Sequence, residues 1–101
     1  MIQLGRFQRA DGGYVGDMRT LTIEHEVRIV PIVKVNDKSP DHRVFLGDLE
    51  CGAAWRLADD RGGGVLSVKL DDPALAEPIY ARLVRGQDDD FLLVWNRRTS
   101  D

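Results

Sequence analysis

The chain predicts an all-β domain, or one nearly so, built as a small antiparallel barrel or a two-sheet sandwich of about seven to eight short strands. Three observations point there. Apolar residues recur with a period of two over most of the sequence, as where Leu66, Val68 and Leu70 alternate with Ser67 and Lys69. Each such run is short and stops at a polar or glycine-rich tract: DGG, NDKSPD, DDRGGG and GQDDD. No long stretch keeps the helical period of about 3.6 residues, and the best helical candidate, Ala74 to Glu77, is at most one turn between prolines.

The elements follow in order. A first strand runs near Ile2 to Arg9, and Asp11-Gly12-Gly13 supplies the positive φ angles of a tight reversal. The second strand is expected over about Tyr14 to Ile23, with Val15, Leu21 and Ile23 on one parity and Gly16 marking a bulge or a close backbone approach. Glu24-His25-Glu26 reads as a polar break before a β-branched third strand, Val27 to Val35. Pro31 cannot donate to a ladder, so that strand should lie at an edge or be bulged. Asn36 to Asp41 is a polar loop.

His42 to Leu49 and Cys51 to Ala58 give two further strands. In the second, Cys51, Ala53, Trp55 and Leu57 are expected on one face, and the small residues of GAA imply tight packing against another backbone. Asp59 to Gly64 is a turn. Its glycine run could cradle a phosphate, but no Lys-Ser/Thr pair or helix start follows, so a plain loop is expected. Val65 to Leu70 is the clearest strand, Ile79 to Arg85 alternates with Ile79, Ala81 and Leu83 on one face, and Phe91 to Arg97 closes the set after the acidic loop Gly86 to Asp90.

A length of 101 residues fits one domain, with a core over about 2–98 and a short C-terminal tail. Charged residues make up 31% and apolar residues 43% of the chain, which places it among globular proteins. The longest apolar stretch, Val27 to Val35, is interrupted by Arg28 and Lys34 and is far short of the roughly 20 residues of a membrane span. With no leader pattern at the N-terminus, a cytoplasmic location and no membrane partner are expected. Cys51 is the single cysteine and is read as a buried thiol, and His25 and His42 lack ligand spacing. No metal and no cofactor are expected.

Asp71-Asp72-Pro73 follows the clearest strand directly. An Asp before Pro can bond nearby backbone amides and start a turn, which accounts for all three residues better than a catalytic dyad does. Ser39, Ser67 and Ser100 have no nucleophile-elbow context, Asp88 to Asp90 read as a solvated loop, and enzymatic activity is not expected. The most informative constellation is basic and aromatic. Eleven of the fourteen basic residues are arginine, and Tyr80 with Arg82, Trp95 with Arg97, and Lys69 each project from strands in positions that could stack bases and contact phosphates. The competing account, favoured for both tryptophans, makes Trp55 and Trp95 core residues and the arginines ordinary solvated charges. A net charge of −3 argues against strong, indiscriminate polyanion binding while leaving room for a local patch.

Taken in order, the segments IQLGRF, GYVGDMRTLTI, RIVP, PDHRVF, GAAW, LSVKLDDP, PIYARLV and LLVWNRR resemble the bacterial DUF736 family over nearly the whole chain. The resemblance implies a compact domain of proteobacterial plasmids and integrative conjugative elements, with no assigned activity and no catalytic residue to carry over. Leu57-Ala58-Asp59 stands where many members have a polar Lys-Thr-Ser-like stretch, so any ligand contact made there in relatives does not transfer. The expected function is a non-catalytic binding module of mobile-element biology that holds single-stranded nucleic acid weakly through Lys69, Tyr80, Arg82, Trp95 and Arg97. The alternative is a protein-interaction module, a homodimer or an adaptor or inhibitor of host machinery, using an exposed edge at Val27 to Val35 or the GAA segment.

Overall fold

The computed structural model describes residues 2–57 and 64–95. Eight strands follow one another: β1 (Ile2–Ala10), β2 (Gly13–Arg19), β3 (Glu24–Pro31), β4 (His42–Leu46), β5 (Leu49–Arg56), β6 (Gly64–Leu70), β7 (Ile79–Arg85) and β8 (Phe91–Trp95). Each pairs antiparallel with the next, and β8 returns to pair with β1, so the sheet closes into an up-and-down barrel. The barrel alternative is therefore the right one, and the described residues contain no helix.

An eight-stranded barrel is just wide enough for inward side chains to fill it. Here Phe7, Met18, Val27, Ile29, Val44, Leu66, Val68, Leu83 and Leu93 are fully buried and come from seven of the eight strands, with Ala54 closing the core on β5. The alternation anticipated for Leu66, Val68 and Leu70 and for Ala81 and Leu83 is present, these five being buried. Gly16 marks a close approach, not a bulge. Its pairing with Phe7 and Val27 is regular, and a Cβ there would collide with the Arg6 carbonyl oxygen and the Phe7 side chain.

Several expected boundaries move. The second strand stops at Arg19, because the Thr20 hydroxyl accepts from the amides of Thr22 and Ile23 and turns the chain, leaving Leu21 fully exposed. Glu24-His25-Glu26 is no break: it is the start of β3, paired with Arg19, Met18 and Asp17. That strand ends at Pro31, one further backbone bond runs from the Ile32 amide to the Asp41 carbonyl oxygen at 3.0 Å, and Val33 and Val35 lie exposed in the connection to β4. Closure of the barrel leaves β3 hydrogen-bonded on both sides, so the edge strand expected there does not exist.

β4 is shorter than expected, ending at Leu46, and β5 begins at Leu49. The β4–β5 pairing steps from Val44 opposite Gly52 to Phe45 opposite Glu50, a bulge that places Cys51 inward together with Ala54. The expected face of Cys51, Ala53, Trp55 and Leu57 is thus split. Further register shifts fall between Gln3 and Gly5 and between Gly64 and Leu66. The tip Asp59 to Gly63 and the tail beyond Trp95, including Arg97, lie outside the described residues.

Candidate nucleic-acid interface

Regular pairing across β5, β6 and β7 builds the surface on which most of the sequence-predicted residues meet. Lys69 stands between Ala53 and Tyr80, and in the next outward row Ser67 stands between Trp55 and Arg82. Directly opposed residues bring their Cβ atoms to about 4.5–5.5 Å, so these six side chains form one continuous patch. The Lys69 ammonium lies 5.9 Å from the centroid of the Tyr80 ring, a cation–π contact that holds charge and ring together. Tyr80 and Arg82 are exposed, while Lys69 and Trp55 are half-buried.

Trp95 does not join this patch. It shares the parity of Phe91 and Leu93, which are buried, and its side chain packs against the core. Placing Trp95 on the binding surface is corrected on that ground, whereas the core placement favoured for it is right. For Trp55 the outcome is reversed: the bulge at Cys51 turns it to the outer face, where its indole N–H donates to the Lys38 carbonyl oxygen at 3.1 Å. Trp55 is therefore the aromatic that accompanies Tyr80 and Arg82. Arg97 lies outside the described residues.

Negative charge borders the patch. A shallow groove of about 320 Å3 is lined by Ala53, Trp55 and Lys69 but also by Glu50 and Asp71, and Glu50 is tied to Arg43 by a 2.6 Å ion pair. Such a surface can stack a base and touch a phosphate or two, and it is not built for high affinity.

The barrel's two ends differ. At the end where β6 passes into β7, an apolar cavity of about 540 Å3 is lined by Met18, Ile23, Leu46, Cys51, Leu70 and Ile79 among others. Burial pushes the Cys51 thiol above its ordinary value. The aspartate pair sits beside this mouth as a turn: Asp72 Oδ2 accepts from the Ala74 amide at 2.9 Å and the Asp72 carbonyl from the Leu75 amide at 2.8 Å. At the opposite end, Arg9, Arg56 and Arg85 surround a cavity of about 480 Å3 together with Tyr14 and the buried His42. The sequence reading missed this cluster. Its only signal was that each arginine holds the inward parity one step beyond a core residue, after Phe7, Ala54 and Leu83 respectively.

Among the described residues no group of three or more His, Cys, Asp or Glu side chains could hold a metal ion, and no helix is long and apolar enough to cross a membrane.

Fold and surface together define a small closed β-barrel with a mixed aromatic and basic outer face and one arginine-lined mouth. The family model described as a protein of unknown function, DUF736, matches residues 3–98, and the chain belongs to that family. No curated protein and no solved structure matches it.

Proposed function

We propose that the protein is a non-catalytic binding module that holds single-stranded nucleic acid weakly on the outer face of β5, β6 and β7. The observation that carries this reading is the assembly of Trp55, Lys69, Tyr80 and Arg82 in two adjacent outward rows. Rings that stack bases without regard to sequence, set beside cations that meet the backbone, are the working parts of single-strand binders. A setting in mobile-element biology rests on the family resemblance alone.

Fluorescence anisotropy with labelled single-stranded DNA, duplex DNA and RNA, at low and near-physiological salt, tests it. Lys69→Ala and Arg82→Ala should each weaken single-strand binding severalfold with the melting temperature unchanged, since both side chains act at the surface. Trp95→Phe, a change on the core side, should leave affinity as it was. Unaltered binding by the Lys69→Ala/Arg82→Ala double variant would refute the surface.

A second reading, self-association, is favoured by one observation: Val33 and Val35 are about nine-tenths exposed in the β3–β4 connection. The GAA segment does not serve it, because the backbone that Gly52 approaches is that of Lys69 in the adjacent strand. A monomer by light scattering at high concentration removes this reading.

A further inference from the structure

The geometry points to a phosphate-binding pocket at the arginine-lined end of the barrel, shaped for a phosphate monoester. The pocket stands on its own residues and does not depend on the outer face.

Four features converge on it. The inward positions that would form the next core layer of β1, β5 and β7 are arginines instead of apolar residues: Arg9 follows Phe7, Arg56 follows Ala54 and Arg85 follows Leu83. Barrel closure therefore gathers three guanidinium groups around one mouth, and no carboxylate is among the described residues lining the cavity. Arg9 is held in place by rings, its guanidinium carbon lying 5.4 Å from the Tyr14 centroid and 5.3 Å from that of Phe91, so its planar fork is oriented before any ligand arrives.

The fourth feature is His42, which lines the same cavity and is only 4% exposed. Among the described residues its buried Nδ1 has no hydrogen-bond partner. Buried polar atoms are nearly always paired, and His42, a lining residue of this cavity, carries one that is not. Arginine forks match the oxygens of a phosphate group bidentately. A cavity of about 480 Å3 exceeds what a bare anion needs and falls within the range of small-molecule sites. The bound group is thus a phosphate carrying an organic substituent, supplied either by a free phosphorylated metabolite or by the phosphorylated end of a nucleic-acid strand.

Calorimetric titration with AMP, inorganic phosphate and adenosine at low salt is the test, run on the wild type, on Arg56→Gln/Arg85→Gln and on Lys69→Ala/Tyr80→Ser. AMP and phosphate should bind the wild type and adenosine should not. The arginine double variant should lose at least about tenfold in AMP affinity, because two bidentate contacts go, and the outer-face variant should bind AMP as the wild type does. If the double variant does not fold, Arg85→Lys, which keeps the charge but not the fork, should still weaken AMP severalfold. Adenosine binding as tightly as AMP, no AMP binding even at millimolar concentration, or undiminished binding by the folded arginine variants would each overturn the pocket. Paired oligonucleotides with a 5′-phosphate or a 5′-hydroxyl then identify the source. Tighter binding of the phosphorylated strand, abolished in the arginine variant, assigns the pocket to strand ends; equal binding alongside tight AMP assigns it to a free phosphorylated molecule.

Discussion

Among the described residues His42 is the one buried polar or charged side chain, and burial holds its imidazole below its ordinary value near 6.5, with the Gly12 backbone and the Asp41 carboxylate opposing the shift. Its folded pKa being the lower one, the unfolded chain binds the extra proton first. Stability from this residue is therefore complete above about pH 6.5 and is lost as pH falls from there through the folded value. Denaturant melts between pH 7.5 and pH 5 should show a declining midpoint, and His42→Gln should flatten that decline; an unchanged slope would assign it to other groups. Cys51 behaves as an inert thiol for the same physical reason, since burial disfavours the thiolate. Its alkylation by iodoacetamide at neutral pH should be at least about tenfold slower in the native protein than in guanidinium.

The strands show where close packing governs sequence. At Gly16 the β1 backbone lies where a Cβ would be, so Gly16→Ala should cost about 1–3 kcal/mol by overpacking, measured as a lower denaturant midpoint at constant m-value. Asp72→Ala removes one turn hydrogen bond at a half-buried site and should cost about 1 kcal/mol. β6 was legible in the sequence because its inward positions Gly64, Leu66, Val68 and Leu70 are all buried in strict alternation, and β7 because buried Ala81 and Leu83 alternate with exposed Tyr80 and Arg82. β3 was misplaced for a reason the barrel explains. Its first three residues extend past the core, so Glu24, His25 and Glu26 pair through their backbones while their side chains stay in solvent. The β-branched Val33 and Val35, which looked like strand, carry no ladder at all. In β5 a single bulged residue exchanged the faces of Trp55 and Ala54 relative to simple alternation, and no pattern of period two announces such a slip.

Closure of the sheet decides what the whole molecule can do. It removes every edge that β-augmentation would use, confining recognition to the outer face and the two mouths. The outer patch was partly legible because Lys69, Tyr80 and Arg82 lie on two consecutive strands, whereas Arg9, Arg56 and Arg85 come from strands far apart in sequence and meet only in the closed barrel. A chain of net charge −3 gives no general attraction for a polyanion, so binding must come from the local cations. For single strands the slope of log K against log salt is about −0.7 per phosphate neutralised, and Lys69 with Arg82 accounts for two, giving a slope near −1.4. Arg82→Ala should bring that slope to about −0.7, and Tyr80→Ser should lower affinity at every salt concentration while leaving the slope unchanged, because stacking releases no counterions. A slope several times steeper in the wild type, unmoved by Arg82→Ala, would place the strand on another part of the barrel.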